Sequence, residues 1–468
     1  MNEETTMFAA QIYTERRARL RERVGSGVIL LPGNEESPMN YPDNTFRFRQ
    51  DGTFLYFFGL DAPHLAALID ADEGEEVVYG DEVTMDDIIW MGPQRPLAEK
   101  AAAAGAGATA PHAALGAALE KARRAGRPVH YLPPYRGETA LLLHGLLGTP
   151  AAALRAGASL ALTRAVVEQR SVKSSAEVAE IEKALEISHE MHTAAMRMAR
   201  PGMVEREVAG VVDGIALARG GRNSFPTIFT THGETLHNHY HGNVLREGNL
   251  VLHDSGAESP LHYASDITRT FPAGGKFTER QREVYSAVLA AQKRAIAAVR
   301  PGVEFREVHS LACEVLAGGL VELGLMRGDP HEAVRAGAHA LFCPHGLGHM
   351  LGLDVHDMEG LGEDHVGYDE TIRRSETFGF RALRLGRALR EGFVLTMEPG
   401  LYFIPALIDQ WKAAGRHAAF IDYDAVDGFR DFGGIRIEDD VLVLAGGSRV
   451  LGRPIPKTVA DVEAACSR

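Results

Sequence analysis

Residues 345–357 read HGLGHMLGLDVHD and residues 395–403 read LTMEPGLYF. In each stretch one side chain that can bind a metal, His349 in the first and Glu398 in the second, lies among apolar residues and glycines. Three further carboxylates have the same setting: Asp254 in LVLHDSGAE (250–258), Asp266 in YASDITRTFP (263–272) and Glu438 in GGIRIEDDVLVL (433–444). Apolar and polar residues alternate here, which predicts a sheet with one buried face and strands over 249–254, 263–271, 393–398 and 434–444.

Four carboxylates in apolar strands need a neutralising partner, because an ionised carboxylate buried alone is very costly. Two divalent metal ions that share bridging carboxylates would neutralise all four. Oxygen-rich ligation with a single imidazole suits Mn²⁺ best, and zinc, cobalt and iron remain alternatives. Taken singly, each residue also has an ordinary structural interpretation: Asp254 or Asp266 as a turn residue, Glu438 as a salt-bridge partner of Arg436, and His349 as a core histidine.

The chain length of 468 residues, 45% of them hydrophobic, predicts two or three folded domains. A boundary is indicated near residue 170, because Ser174 and Glu177 have the spacing of a capping box at the start of a long helix. The alanine-rich stretch 98–126 is expected to be a surface helix. Before the boundary, apolar runs alternate with helical stretches and Gly/Pro turns, as in an α/β domain. The apolar runs are 27–31, 54–58, 65–69 and 129–132.

A short internal repeat lies beyond this boundary. RPGMVEREV at 200–208 recurs as RPGVEFREV at 300–308, with six of nine positions identical. Each copy follows an amphipathic helix, so the second domain is predicted to contain two related halves around a pseudo-symmetry axis. A chance match of so short a segment is the alternative.

The chain resembles the metal-dependent peptidases of the creatinase/methionine aminopeptidase fold, most closely aminopeptidase P and prolidase. The resemblance rests on SDITRTFP, HGLGHMLGLDVHD, LTMEPGLYF and GIRIEDD in family order, and on FRFRQDGTFLYFFGL (46–60) and IIWMGPQRPL (88–97) in the N-terminal part. It implies an α/β (α+β) protein. A smaller creatinase-like α/β domain would occupy residues 1–170, and a pita-bread catalytic domain with pseudo-twofold symmetry would occupy residues 171–468.

The resemblance also implies a metal centre. In that family the residues that match Asp254, Asp266, His349, Glu398 and Glu438 bind two metal ions. A water held between two such ions is deprotonated near neutral pH and becomes a hydroxide nucleophile. The family resemblance further implies that Glu398 takes the proton and passes it to the departing proline nitrogen.

Further matches suggest roles around the substrate. His356 and His237 match family histidines that line the substrate site and stabilise the tetrahedral intermediate, and His345 matches another pocket histidine. For all three, structural hydrogen bonding is the alternative. Tyr402 matches a tyrosine near the metals, and Arg436 matches an arginine that orients the metal site.

The proline pocket of the family is often closed by part of the N-terminal domain, sometimes from a neighbouring subunit. Trp90 resembles such a contributor, and a tryptophan of the domain core is the alternative. Two departures from the family pattern are Phe225, which stands where a tyrosine is usual, and a shorter loop TTHGET (230–235). Eleven residues separate Asp254 from Asp266, one more than usual, which predicts a longer hairpin turn around 258–262.

Features of two members of the family, prolidase and aminopeptidase P, point to different substrate preferences. The insertion at 400–433 and the run FRALRLGRALREGF (380–393), whose Arg384 would bind the free carboxylate of a dipeptide, resemble prolidase. The N-terminal segments and SDITRTFPAGGKFTERQREVY (265–285) resemble bacterial enzymes grouped with aminopeptidase P. We therefore favour an Xaa-Pro aminopeptidase acting on peptides with proline in second position, with an Xaa-Pro dipeptidase as the alternative.

Other classes of function are disfavoured. A metal-free creatinase-like hydrolase and a catalytically dead binding module would each be expected to lack part of the ligand set, and methionine aminopeptidases usually lack so long an N-terminal domain. The net charge of -14 argues against nucleic-acid binding. Homodimers or homotetramers are common in the family.

The cellular compartment is inferred from cysteine usage and from targeting signals. Cys313, Cys343 and Cys466 are few and widely spaced, which fits a reducing compartment, and each is expected to be a small buried residue rather than a ligand. The N-terminal stretch lacks the basic start and apolar region of a signal peptide. No run approaches the roughly 18 apolar residues of a membrane span. We expect a cytoplasmic protein with no membrane partner.

Overall fold

The structure is a computed structural model that describes residues 7–467. The chain forms two compact units: residues up to Arg170 together with Met358–His365, and Ser171–Asp357 together with the chain from Val366 onward. Both units combine helices and sheets, so the predicted mixed α/β class is confirmed. No helix in the described range is long and apolar enough to cross a membrane.

The first unit is built on one mixed five-stranded sheet with strand order β4-β3-β2-β1-β5. Central strands β1 and β2 pair antiparallel, with Ile29 opposite Ile69, while β5 joins β1 in parallel. The first four residues of β1 are all buried, which is the pattern of a strand covered on both faces. The strands are β1 (Val28–Pro32), β2 (Ala66–Asp70), β3 (Glu76–Tyr79), β4 (Ala108–Ala110) and β5 (Val129–His130).

Eight helices accompany this sheet within residues 7–171. One sheet face packs against α5, α6 and α7 through Leu119, Leu143 and Leu154, and α1 and α2 contact the central strands. The helices are α1 (Ala10–Val24), α2 (Gly52–Phe58), α3 (Met85–Met91), α4 (Leu97–Ala103), α5 (Leu115–Arg124), α6 (Gly137–Leu147), α7 (Ala151–Leu154) and α8 (Leu160–Ser171). A 3-10 turn, His112–Ala114, precedes α5.

Two sequence expectations need correction here. The apolar run 54–58 lies in α2, whose N-terminus is capped by the Asp51 side chain and which is buried on every side, so it has no helical periodicity to read. The alanine-rich stretch 98–126 is not one helix. It is divided between α4, strand β4 and α5. Gly105, with φ of 70°, ends the first helix, and Ala108–Ala110 form the edge strand of the sheet.

The second unit contains three small antiparallel sheets, with strand orders β6-β7-β8, β13-β12-β9 and β10-β11. The strands that carry the candidate ligands are buried along almost their whole length. The strands are β6 (Ile228–Thr230), β7 (Leu250–Ser255), β8 (Ile267–Pro272), β9 (Val394–Met397), β10 (Gly400–Tyr402), β11 (Gly434–Arg436), β12 (Asp439–Leu444) and β13 (Gly447–Val450).

In the described part of the chain, nine more helices follow α8. The first begins at the predicted capping box, in which the Ser174 side chain accepts from the Glu177 N–H and the Glu177 carboxylate accepts from the Ser174 N–H. They are α9 (Ser175–Met198), α10 (Glu205–Ala218), α11 (Glu279–Ala298), α12 (Phe305–Glu322), α13 (Pro330–Ala336), α14 (Glu363–Val366), α15 (Pro405–Ala413), α16 (Tyr423–Asp427) and α17 (Val459–Cys466). Two 3-10 turns, Ala338–Leu341 and Glu359–Leu361, interrupt the loops.

The internal repeat occupies equivalent places in two helix pairs. The first copy joins α9 to α10 and the second joins α11 to α12. The backbone N–H of Gly202 donates to the carbonyl of Leu245, and that of Gly302 donates to the carbonyl of Leu389, both at 2.8 Å. Single antiparallel bridges at Val204 and at Glu304 follow the two glycines. The two halves are therefore related in local structure as well as in sequence.

Candidate metal centre

The hairpin of β7 and β8 brings two of the candidate carboxylates together. Asp254 lies within β7 opposite Thr268, and Asp266 stands two residues before Thr268 on the partner strand. Two residues apart along a strand means the same face, so the two aspartates are diagonal neighbours on that face. The hairpin closes only at 259–263, where the N–H of Ser259 donates to the carbonyl of Tyr263. Neither aspartate is a turn residue.

The two glutamates come from a second antiparallel pairing. Met397 of β9 stands opposite Asp439 of β12, and Gly400 of β10 stands opposite Arg436 of β11. Both pairings have the same register, so Glu398 and Glu438 stand opposite each other in the gap between them. The predicted continuous strand over 434–444 is interrupted at this point. The interruption frees the backbone N–H of Glu438, which donates instead to the carbonyl of Thr268 at 3.0 Å and ties the glutamates to the aspartate hairpin.

His349 reaches the same place from a loop that lies along β9. The backbone N–H of Thr396 donates to the carbonyl of His349 at 3.0 Å, and that of Glu398 donates to Leu347 at 2.9 Å. Gly348 is required between them, because a Cβ there would collide with the carbonyl oxygen of Thr396. The Nδ1 atom of His349 is 3.0 Å from the carbonyl oxygen of Met350, which assigns the proton to Nδ1 and leaves Nε2 as the ligand atom.

The five candidate ligands converge on one pocket. Nε2 of His349 lies 3.4 Å from Oδ2 of Asp266 and 3.6 Å from Oε1 of Glu398. One ligand atom each from Asp266, His349 and Glu438 lie within 4.8 Å of one another. Asp254 and Glu398 line the same cavity of about 250 Å³. Sequence reasoning placed these residues together, and the structure does so too.

The electrostatics of this cluster fit bound cations. Burial, followed by repulsion from neighbouring carboxylates, raises the pKa of Asp266 and of Glu438 well above the ordinary range. Burial raises the pKa of Glu398 to about 8. The Oδ1 atom of Asp254 is buried and has no hydrogen-bond partner. A buried carboxylate oxygen without a donor and a set of mutually repelling carboxyl groups are what divalent metal ions would satisfy.

A buried chain of polar contacts supports the acidic cluster. The Arg436 guanidinium pairs with Asp254 rather than with Glu438, and it donates to Oγ1 of Thr268 at 3.0 Å and to the Tyr402 hydroxyl at 2.9 Å. The Tyr402 hydroxyl also lies 2.8 Å from Nε2 of His345, whose Nδ1 faces the carbonyl of Gly346. Burial lowers the pKa of His345 to about 3, so its imidazole is neutral.

Sequence reasoning missed two residues of this support. Oγ1 of Thr268 donates to Oε2 of Glu438 at 2.6 Å, and Oδ2 of Asp440 accepts from the backbone N–H of Asp266 at 3.1 Å. Alternation in DITRT could have identified Thr268, since it shares a strand face with Asp266. Nothing comparable in the sequence marks Asp440, because its role depends on a cross-sheet contact.

Four of the remaining residues predicted to be near the substrate line the cavity. His237, His345, His356 and Arg384 all line the cavity, and the His356 ring centroid lies 4.2 Å from that of His349. The cavity wall also includes residues to which the sequence assigned no role or an uncertain one, together with apolar side chains: Phe225, Pro226, Ile228, Leu236, His239, Val355 and Ala382.

Trp90 lies on α3 of the first unit. Its side chain is 82% exposed, so the alternative of a core tryptophan is wrong. The other unassigned histidines make local contacts. His232 is 3.0 Å from Glu234, His241 faces the carbonyl of Thr227, and His262 is 2.7 Å from Glu258.

A pocket that gathers four carboxylates and one imidazole is typical of a hydrolase that works with divalent metal ions. Comparison with known proteins agrees. Residues 179–445 match the model of metallopeptidase family M24, and residues 13–130 match that of the aminopeptidase P N-terminal domain. The chain belongs to metallopeptidase family M24 and is a hydrolase.

Individual relatives cover the whole chain. An Xaa-Pro dipeptidase from Homo sapiens is 31% identical over 99% of this chain and 95% of its own length. Among solved structures, Zn-substituted Escherichia coli aminopeptidase P in complex with product has a TM-score of 0.80 at 29% identity, covering 98% of this chain and 99% of that one. Aminopeptidase PepP of Pseudomonas aeruginosa has a TM-score of 0.82 at 28% identity, covering 99% of both chains.

Proposed function

We propose that this metallopeptidase hydrolyses the bond between an N-terminal residue and proline, and that it acts as an Xaa-Pro aminopeptidase. The observation that carries the proposal is the convergence of three buried carboxylates, the partly buried Glu398 and His349 on one cavity whose wall includes apolar side chains. The relatives support the substrate class, because their names describe enzymes that act at Xaa-Pro or belong to aminopeptidase P. A tertiary amide before proline lacks an N–H, so its recognition depends on shape and apolar contact.

We further propose that Asp254, Asp266, His349, Glu398 and Glu438 hold two divalent metal ions, with Mn²⁺ the preferred ion because most of these ligands are oxygens. When bound, such ions polarise the scissile carbonyl and activate water for attack. The buried, unpartnered Oδ1 of Asp254 and the raised carboxyl pKa values support this assignment. Arg436 holds Asp254 in place through their ion pair.

Glu398 carries out the proton transfers of the hydrolysis. Its carboxylate lies at the cavity wall, where a bound water would be within its reach. A carboxylate in that position can accept a proton from the attacking water and return it to the leaving nitrogen. His237 and His356 line the same wall and supply hydrogen-bond donors for the developing negative charge on the scissile carbonyl oxygen, while His345, whose two ring nitrogens contact the Gly346 carbonyl and the Tyr402 hydroxyl, positions that hydroxyl.

A specific observation favours Xaa-Pro dipeptidase as a second candidate. Arg384 lines the cavity and can bind the free carboxylate of a dipeptide. The insertion between the two glutamates forms α15 and α16, and its buried Trp411 stacks edge-on against Phe378, with ring centroids 6.0 Å apart. Phe378 lies two residues before the run 380–393 that contains Arg384.

One assay separates the candidates. The Mn²⁺-reconstituted enzyme is given an Xaa-Pro dipeptide, an Xaa-Pro-Yaa tripeptide and an Xaa-Ala-Yaa tripeptide, with a chelator-treated sample and Glu398→Gln as controls. Faster release of Xaa from the proline tripeptide supports the aminopeptidase, and cleavage of the dipeptide alone supports the dipeptidase. Equal cleavage of the alanine peptide, or activity that survives chelation, would contradict the proposal.

Several finer assignments stay predictions. These are the division into domains at 1–170 and 171–468, the pita-bread description, the homodimeric or homotetrameric state, the cytoplasmic location and the contribution of Trp90 to substrate binding. The exposure of Trp90 is compatible with a role in contacting a second molecule. Size-exclusion chromatography with light scattering tests the oligomeric state directly.

A further inference from the structure

A second cluster of potential metal ligands lies in the core of the second unit. His309 and Cys313 are one helical turn apart on α12, and His339 and Cys343 have the same spacing in the segment that follows α13. All four residues are buried. None of them lines the cavity of the acidic cluster. Two His-x-x-x-Cys pairs therefore face each other inside the protein.

The atoms of this cluster are close together. One ligand atom each from His309, Cys313 and His339 lie within 4.8 Å of one another. The Cys313 sulfur is 3.7 Å from Nε2 of His309, and the neighbouring Cys343 thiol raises the pKa of the Cys313 thiol. The Cys343 sulfur lies outside the set of three ligand atoms within 4.8 Å, so a fourth ligand requires the Cys343 side chain to turn towards the ion.

His339 lacks the partners that a buried histidine normally has. Its side chain is fully enclosed, and neither Nδ1 nor Nε2 has a hydrogen-bond partner. The ring of Phe380 packs edge-on against both His309 and His339, so these contacts are apolar. A buried imidazole with two unsatisfied nitrogens is costly and needs an explanation.

A metal ion with soft-ligand preference would supply that explanation. Burial lowers the pKa of His309 to about 3 and that of His339 to about 4, so both imidazoles are neutral ligands at physiological pH. Two thiolates and two neutral imidazoles around one divalent cation carry no net charge, which suits an interior position without a carboxylate in the ligand set.

We propose that His309, Cys313, His339 and Cys343 bind one Zn²⁺ ion in a closed, structural site. Binding converts two thiols to thiolates, and both protons leave to solvent. With four protein ligands the site has no open position for substrate. It would join α12 to the segment that leads to His345, since Cys343 lies two residues before that pocket histidine. This inference does not rest on the proposed peptidase function.

Cobalt substitution tests the proposal on the full-length protein. Co²⁺ bound to thiolates gives a strong near-ultraviolet charge-transfer absorption, and the acidic cluster contains no sulfur ligand, so this band reports the second site alone. We expect the band in the wild-type protein once Co²⁺ is added beyond the two ions that the acidic cluster takes up, its persistence in Asp266→Asn, and its loss in Cys313→Ala. Cys466→Ala removes a buried cysteine from α17 and is the matched control, which should keep the band.

The outcomes separate this site from the acidic cluster. Wild-type protein that regains peptidase activity with Co²⁺ but shows no thiolate band would overturn the zinc proposal and leave the peptidase intact. Survival of the band in Cys313→Ala would overturn it as well. One titratable thiol instead of three in the denatured, unreduced chain would mean a Cys313–Cys343 disulfide in place of the metal site.

Discussion

The acidic cluster and the His/Cys cluster lie in the same unit and differ in every property that governs metal choice. The first presents carboxylate oxygens, from β7 and from residues next to the ends of β8, β9 and β12, to an open cavity and includes charged partners such as Arg436. The second presents sulfur and nitrogen from helical segments to a closed interior. Oxygen ligands with room for substrate suit catalysis by hard ions, whereas enclosed thiols and imidazoles suit a structural soft ion. The contrast shows that solvent access and the type of donor atom together distinguish a catalytic metal site from a structural one.

The largest expected effect is at the acidic cluster itself. Asp266→Asn or Glu438→Gln removes a charged oxygen ligand, so metal-dependent hydrolysis of Xaa-Pro peptides should fall to background. The test is turnover at saturating Mn²⁺ together with metal content after desalting. Glu120→Gln, which removes an exposed carboxylate of α5 in the first unit, is a control that should keep activity. Full activity in either ligand variant would refute the assignment of the acidic cluster as the metal centre.

The next largest effect concerns the support of that cluster. Arg436→Gln removes the ion pair to Asp254 and two hydrogen bonds, so we expect the affinity for Mn²⁺ to fall about 10- to 100-fold. Tyr402→Phe removes only the hydroxyl group from the same set of polar contacts. It should lower the affinity for Mn²⁺ less. Activity measured against Mn²⁺ concentration gives both values. An unchanged metal dependence in Arg436→Gln would show that Asp254 is held without its help.

A moderate effect should distinguish the two substrate candidates. If Arg384 binds the carboxylate of a dipeptide, Arg384→Ala loses a charge-assisted contact of about 1.5–3 kcal/mol, or roughly 10- to 100-fold in kcat/KM for the dipeptide. Tripeptide turnover should change much less. Arg381→Ala, an exposed arginine three residues away that packs on Phe378, is the matched control. Equal losses for both peptides would argue against carboxylate binding by Arg384.

The smallest effect is a pH dependence of stability. Without metal, the folded chain keeps Asp266, Glu438 and Glu398 protonated at pH values where the unfolded chain ionises them, near pH 4. The folded metal-free chain then binds more protons than the unfolded chain, so its stability falls as pH rises towards 8.

Bound ions remove this penalty, and the gap in Tm between metal-loaded and metal-free enzyme should widen from about pH 6 to about pH 8. A change of 1 kcal/mol corresponds to about 2–4 °C for domains of 150–250 residues, so the widening is a matter of degrees. Differential scanning fluorimetry at saturating Mn²⁺ measures it, and Asp266→Asn should widen less. A gap that narrows with rising pH would contradict the assigned carboxyl pKa directions.

Local signals in the sequence were sufficient for several parts of the fold. The Ser174 capping box predicted the start of α9, and alternation predicted β7 and β9 closely. The repeat at 200–208 and 300–308 predicted two equivalent helix connections. Hydrophobic periodicity could not predict α2 as a helix, because this fully buried segment is apolar on every side.

The sequence by itself determined which residues are candidates for metal chemistry, because a carboxylate in an apolar strand must be neutralised wherever that strand is buried. Only the tertiary structure decided how they meet: the diagonal pairing of Asp254 with Asp266, the opposition of Glu398 and Glu438, and the contact of Asp440 with Asp266 all depend on strand register. The His/Cys cluster depends even more strongly on the tertiary structure. Cys313 and Cys343 were expected to be ordinary buried residues, and their proximity arises from helix packing over 30 residues of chain, which no local pattern encodes.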